Sequence, residues 1–290
     1  LLGRVRAKMD RAGDAAGDTI VPVLIHGDAA FAGQGVVMEI LQASELPAYQ
    51  CGGTVHLIIN NQIGFTTSPD EARSTDYASG PARMLGIPIF HVNGEDPRAC
   101  AAAIRIATEW RARFHRDVVI DMYCYRKHGH NEGDEPSFTQ PLLYDRIRSL
   151  PTPREAYAAR LVRAGHMSQE EVARILHESQ AGIQAELEAP PASGPVAAGG
   201  TPESSPLAGL WARYHGSIHD EVDTTVPLAR LVPLLERANE LPSTFSAHAK
   251  IKRLLVQRLE MIRGERPIDW AVGELAAMAT LAVEGVGVRL

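Results

Sequence analysis

Four short apolar runs constrain this chain more than any other feature. They cover residues 21–25, 55–59, 87–92 and 118–125. Each is too short for a buried helix, and continuous apolar runs of this length suit strands covered on both faces, as in a parallel sheet. Helical patterns fill the intervals. Residues 35–46 place Val37, Ile40 and Leu41 on one face, and Asp96-Pro97 supplies a capping carboxylate with proline at the first helical position. Ile104, Ala107, Trp110 and Phe114 then recur at helical spacing. Strands alternating with helices predict an α/β domain with a doubly wound parallel sheet.

The second half reads differently. Residues 153–189 are helical and charged, with Ser168 and Glu171 at the spacing of a capping box. Residues 189–206 are rich in Pro, Gly, Ala and Ser and read as a flexible linker. Helices are expected over 227–239, 247–263 and 268–283, and Val286-Gly287-Val288-Arg289-Leu290 reads as a strand. The chain starts at Leu1 without a basic and then apolar leader, and both ends read as cuts in a longer chain.

Composition narrows the partners. With 29 basic and 35 acidic residues the net charge is -6, and no basic stripe is present, which argues against a nucleic-acid partner. No apolar run reaches the roughly 18–20 residues of a membrane span. Cys51, Cys100 and Cys124 are odd in number and widely spaced, which reads as reduced thiols of a cytosolic-type compartment.

In an open parallel sheet, ligands gather beyond the carboxyl ends of the strands. The first run is followed by His26-Gly27-Asp28-Ala29-Ala30-Phe31-Ala32-Gly33-Gln34-Gly35, and the second by Asn60-Asn61-Gln62-Ile63-Gly64-Phe65-Thr66-Thr67. The fourth run leads into Arg126-Lys127-His128-Gly129-His130-Asn131-Glu132-Gly133-Asp134-Glu135-Pro136. Asp28 is a hard oxygen donor, Asn61 offers an amide oxygen, and the turn through Gln62-Ile63-Gly64 offers a carbonyl. One carboxylate and two neutral oxygens make a partial Mg²⁺ site that phosphate oxygens and water would complete. The glycines let the backbone approach such phosphates, and the helix starting near Gly35 favours their charge. Either loop alone would be an ordinary turn; Asp28 and Asn61, 33 positions apart after adjacent strands, together point to a diphosphate–metal site.

Gly27-Asp28-Ala29 followed by Asn60-Asn61 resembles the thiamin-diphosphate motif, which is Gly-Asp-Gly, a spacer and Asn-Asn. The three full loops, with Pro88-Ile89-Phe90-His91-Val92-Asn93-Gly94, resemble more narrowly the thiamin-dependent decarboxylating component of 2-oxoglutarate dehydrogenase. The likeness runs over most of residues 4–180 and resumes at Ile268-Asp269-Trp270. It implies the thiamin-diphosphate-binding fold, with thiamine diphosphate and Mg²⁺ as cofactors. Asp28 and Asn61 would bind the metal by side chains and Ile63 by its carbonyl. Ala29 and Ala30 would line the diphosphate with backbone N–H groups. Ala29 departs from the general motif, where Gly follows the Asp; the 2-oxoglutarate family itself carries Ala there. His130 would reach the diphosphate and the reaction mouth, as the catalytic residue of this segment.

The resemblance also implies an organisation and a reaction. Residues 1–150 would be the diphosphate–Mg domain, 151–266 a helical connector, and 267–290 the start of a second α/β domain that binds the pyrimidine. The activity implied is oxidative decarboxylation of 2-oxoglutarate with succinyl transfer to a lipoyl group, in the tricarboxylic acid cycle. The partners implied are a lipoyl-bearing succinyltransferase and a second copy of the chain, in the cytoplasm or the mitochondrial matrix. Glu274 is not assigned as the glutamate that activates the cofactor, since the family places that residue beyond Leu290. Of the other groups, His26 reads as orienting the metal turn and His56 and His91 as packing residues. Arg126-Lys127 reads as a solvated pair, with Glu132, Asp134 and Glu135 as its partners; His128 is left open. The rival readings are a 2-oxoadipate dehydrogenase or transketolase-like enzyme, a fragment that only binds diphosphate, and an Mg²⁺-dependent phosphohydrolase using Asp28, for which no nucleophile and base pair is visible.

Overall fold

All four apolar runs form strands: β1 (Val23–Gly27), β2 (Val55–Asn60), β3 (Ile89–Asn93) and β4 (Val118–Tyr123). In the computed structural model, which describes residues 1–188, 217 and 219–289, they pair in parallel in the order β1-β2-β4-β3. The register sets Gly27 beside Ile59 and Asn60 beside Tyr123, so the carboxyl ends of β1, β2 and β4 finish level. The loops that follow them therefore start from one edge.

Alternation along the strands sends neighbouring residues to opposite faces. One face buries Ile58 and Val119 against Phe31, Val37 and Leu41. These come from α2 (Asp28–Gly33) and α3 (Gly35–Ala43), with Ala82 of the 3₁₀ turn Gly80–Leu85 completing the layer. The other face buries Val55, Val118 and Ile120 against Ala103 and Ala107 of α5 (Pro97–Phe114). Covering on both faces makes the sheet doubly wound, and each fully buried Phe, Leu or Ile contributes about 1.5–3 kcal/mol.

Two expectations about α5 meet different outcomes. Asp96 caps it, its Oδ1 accepting from the amides of Arg98 (3.1 Å) and Ala99 (3.2 Å). The predicted apolar stripe holds in its middle: Ala107 is buried and Trp110 packs part-buried against the same core, whereas Ile104 and Phe114 are exposed. Ala103 and Arg111 take the remaining buried places, the small Ala103 letting the helix lie close to the sheet.

Arg111 is 1% exposed. It donates to the carbonyls of Gly53 (3.1 Å), Ile20 (3.0 Å), Cys51 (3.1 Å) and Gly17. It thereby ties the segment after α1 (Leu2–Ala12) to the start of β2. Desolvation lowers its pKa, and the carbonyl oxygens replace the lost water.

α4 (Pro69–Ala72) is a single turn between β2 and β3. Three further helices continue the chain: α6 (Pro141–Ser149), α7 (Pro153–Arg163) and α8 (Gln169–Glu188). Arg160 of α7 grips Asp96 through two bonds of 2.5 and 2.7 Å, which holds that carboxyl well below the usual carboxylate range. The Ser168–Glu171 capping box forms as expected, with bonds of 2.7 and 3.1 Å.

The chain divides into units Leu1–Gln184 and Ala185–Leu290. The predicted linker over 189–206 lies outside the described residues. In the second unit α9 (Leu228–Ala238), α10 (Ala249–Ile262) and α11 (Trp270–Ala282) pack around Leu235, Ile262 and Val272. The strand expected at 286–290 is not formed over its described part, 286–289. Gly285 at φ 78° turns the chain back, and the Val286 amide closes on the Leu281 carbonyl at 3.1 Å. That bond ends α11 in place of a sheet ladder. No helix among the described residues is long and apolar enough to cross a membrane.

Candidate functional site

Asp28 opens α2 directly at the end of β1, with Gly27 as an extended N-cap and no side chain capping the first turn. Helical geometry leaves the first amides of such a turn, here including Ala29 and Ala30, without intrahelical acceptors. The Asp28 side chain is buried. Burial pushes its carboxyl above the ordinary value; the backbone amide of Asp28, the Arg73 guanidinium 3.6 Å away and the Ala29 amide oppose this only in part.

The second loop is shaped by its paired asparagines. Asn60 is fully buried; its Nδ2 donates to Asp121 Oδ1 (2.9 Å) and its Oδ1 accepts from the Gln62 amide (3.2 Å). Asn61 Oδ1 accepts from the Ile63 amide at 3.2 Å. These two bonds hold Gln62 at φ 62°, the left-handed region that a non-glycine residue enters only when its surroundings compel it. The Gln62 side chain adds a bond to the Cys124 carbonyl at 2.9 Å. Among the described residues no donor is bonded to the Ile63 carbonyl.

One contact joins the first two loops. A Cβ added at Gly64 would stand 2.9 Å from the Ala29 methyl, so the Asp28 turn and the Asn61–Gly64 turn touch. A further contact brings in the third loop. The rings of Phe65 and His130 lie 5.1 Å apart, and Arg126 donates to the Phe65 carbonyl at 3.0 Å and to the Tyr144 hydroxyl at 3.1 Å. Asp28, Ala29, Asn61, Ile63 and His130 thus lie along one connected line of loops, with His130 reaching it through Phe65. His130 is exposed, its backbone amide held by Asp134 Oδ2 at 2.9 Å.

Several readings of individual groups change. Arg126 is not a solvated cation but a strut between two loops, while Lys127 and His128 are exposed. Asp134 and Glu135 do not partner the basic pair. Asp134 closes its own turn, and Glu135 accepts from the Ser137 hydroxyl and from Ser137 N (3.0 Å), which together lower its pKa. His26 lies in β1 rather than in the metal turn. Its Nε2 is 3.1 Å from His56 Nδ1, and its ring stacks on His56 and meets Phe31 edge-on. His56 Nε2 in turn reaches Asp117 at 3.2 Å. Desolvation, with His56 adding to it, lowers the His26 pKa to about 4.

The sequence reading missed the groups beneath the loops. Asp121 is fully buried, accepts from Asn60 and from Ser79 (3.1 Å), and lies 3.3 Å from His91 Nδ1. Its signal was a carboxylate inside the apolar run Val118-Val119-Ile120-Asp121-Met122. Arg73 had no local signal. No cluster of three or more His, Cys, Asp or Glu side chains among the described residues could hold a metal. A cation at Asp28 would therefore draw on neutral oxygens and on its ligand. The buried carboxylate, short of compensating charge, and the unbonded Ile63 carbonyl fit such a cation.

The chain belongs to the family described as dehydrogenase E1 component, which matches residues 5–197. Its relatives give a finer likeness. It is 43% identical to the 2-oxoglutarate dehydrogenase E1 component of Azotobacter vinelandii, over 99% of this chain and 30% of that protein. It is 44% identical to the proteins of the same name from Brucella ovis and Brucella canis, over the whole of this chain and 28% of each. The chain thus spans less than a third of these relatives.

Proposed function

We propose that this chain is the diphosphate- and Mg²⁺-binding part of a thiamin-dependent 2-oxoglutarate dehydrogenase E1 component. The complete protein would decarboxylate 2-oxoglutarate and pass the succinyl group to the lipoyl arm of a succinyltransferase, with two copies of the chain forming the site. Residues 1–150 are read as the diphosphate-binding domain, 151–266 as the connector and 267–290 as the opening of the pyrimidine-binding domain. The relatives' name supports this substrate over 2-oxoadipate or a ketose phosphate.

Bound thiamine diphosphate would supply the electron sink for loss of CO₂ from a 2-oxo acid. The chain's own residues bind and orient. Asp28, Asn61 and the Ile63 carbonyl would hold Mg²⁺. The amides of Ala29 and Ala30 would meet diphosphate oxygens. His130 would donate a hydrogen bond at the mouth, which a neutral imidazole can do from one nitrogen. The observation that carries the reading is the contact of Ala29 with Gly64, because it brings the carboxylate loop and the amide loop to a common point.

Calorimetric titration of thiamine diphosphate with Mg²⁺ tests it on the 290-residue chain and its Asp28→Ala variant. Loss of Mg²⁺-dependent binding in the variant is expected; unchanged binding would remove the metal assignment. The 290 residues alone are expected to release no CO₂ from 2-oxoglutarate. Turnover by them would show that less than a third of the relatives' length suffices.

A further inference from the structure

Arg73 follows directly on α4, and its side chain is 9% exposed. A guanidinium carries five N–H donors, and buried donors are normally satisfied. Arg111 shows the usual outcome, spending its donors on four backbone carbonyls. Arg73 does not. Its Nε is buried without an acceptor, and its nearest anion is Asp28, whose Oδ2 lies 3.6 Å from Nη1. That separation gives charge compensation without a hydrogen bond. The Asp28 side chain is itself 4% exposed and takes the backbone amides of Asp28 and Ala29, so two buried opposite charges face each other and the guanidinium is the one left without a hydrogen-bond acceptor. Attraction at this separation does little more than offset the loss of water, which leaves the guanidinium free to take a better acceptor.

We propose that Arg73 is a movable counter-ion and a binding residue of the site. While no metal is bound it neutralises Asp28. When a divalent cation arrives with a diphosphate-bearing ligand, Arg73 yields Asp28 to the cation and turns its donors, Nε included, to anionic oxygens of the ligand. The inference rests on the reading of Asp28 as a metal ligand. It adds a charge argument. A divalent cation beside a buried guanidinium is repelled, so the cation alone binds poorly; the diphosphate removes the repulsion by engaging both. Cation and diphosphate must then strengthen each other's binding, and by linkage the effect is reciprocal.

The test uses Mn²⁺, followed by its paramagnetic resonance, and inorganic pyrophosphate, followed by calorimetry, on the 290-residue chain. The variants are Arg73→Gln, Arg73→Met and Asp28→Asn, each checked by circular dichroism; Arg73→Met preserves the packed stem, and either Arg73 variant that folds carries the test. Removing the guanidinium is expected to tighten Mn²⁺ alone by about ten-fold, since a like charge leaves the site. The same change is expected to weaken pyrophosphate in the presence of Mn²⁺ by about ten-fold, since charge-assisted donors are lost. A residue that only supports the fold would move both affinities the same way. Mn²⁺ binding unchanged or weaker in the Arg73 variants, with binding abolished in Asp28→Asn, would overturn the counter-ion role and leave the metal site standing. Equal Mn²⁺ binding by wild type and Asp28→Asn, or none in any variant, would overturn the metal site and this inference with it.

Discussion

Gly64→Ala adds one methyl group at the junction on which the site depends. The new Cβ would lie 2.9 Å from the Ala29 methyl, and carbon atoms in ordinary contact are about 3.5–4.0 Å apart. The loops must separate by roughly 0.6–1 Å. Neither is free to yield. Ala29 sits in the first turn of α2, anchored by the fully buried Phe31. Gly64 exchanges two bonds with Thr67, of 2.9 and 2.8 Å, and follows the buried Ile63. Gly64 does not occupy the left-handed region, so alanine meets no backbone strain and the contact is isolated. Overpacking of this kind costs about 1–3 kcal/mol. Urea unfolding followed by circular dichroism should show that loss. Metal-dependent diphosphate binding should weaken as Asp28 moves away from Asn61. The double variant Ala29→Gly with Gly64→Ala returns the methyl to the opposite side of the contact. It should recover most of the loss, less about 0.5–1 kcal/mol for glycine in a helical turn. A single Gly64→Ala variant within 0.5 kcal/mol of wild type, or a double variant no better than the sum of its parts, would refute the reasoning.

Two further outcomes follow from buried polar groups. Arg111→Met should destabilise the chain by about 3–5 kcal/mol, because it orphans the carbonyls that Arg111 now satisfies; hydrogen exchange should rise first over residues 13–20, and a loss under 1 kcal/mol would contradict the assignment. His26 is held neutral down to about 4, against an ordinary value of 6.5. As pH falls, the unfolded chain therefore takes up the proton first. The stability linked to His26 is complete above 6.5 and is lost between 6.5 and about 4. After allowance for solvent screening of this half-buried ring the loss is about 1–2 kcal/mol. His26→Phe should flatten the pH dependence of urea unfolding over that window, and an unchanged slope would place the titration elsewhere.

What could be read in the sequence was what local chemistry decides. The strands follow from continuous apolar runs, and the Asp96 cap and the Ser168–Glu171 box follow from side chains that bond within three residues. The stripe on α5 holds at Ala107 and Trp110 and fails at its ends, because apolar periodicity ranks Ile104 and Phe114 above Ala103, whereas closeness to the sheet selects the small residue. The strand expected from 286 onward is not formed over 286–289, because β-propensity says nothing about whether a neighbour is present to pair with. Of the candidate site, the donors on the three loops were legible from motif and spacing. Arg73, Asp121 and the strut role of Arg126 were not. Each acquires its meaning from a partner more than 40 positions away.

Asn60 and Asn61 look interchangeable in the sequence, yet Asn60 works by its nitrogen. Its Nδ2 is what Asp121 accepts, at 2.9 Å, in a place closed to water. Replacing that single NH₂ by oxygen, as a one-base change to aspartate or hydrolysis of the amide would do, sets two buried carboxyl groups against each other. One of them would have to carry a proton at neutral pH. The turn that presents Asn61 and Ile63 is therefore vulnerable to a lesion that alters no shape and removes no bulk. A chain damaged in this way would keep its sheet and helices and lose the alignment of its metal loop, a form of ageing that a test for folded protein alone would miss.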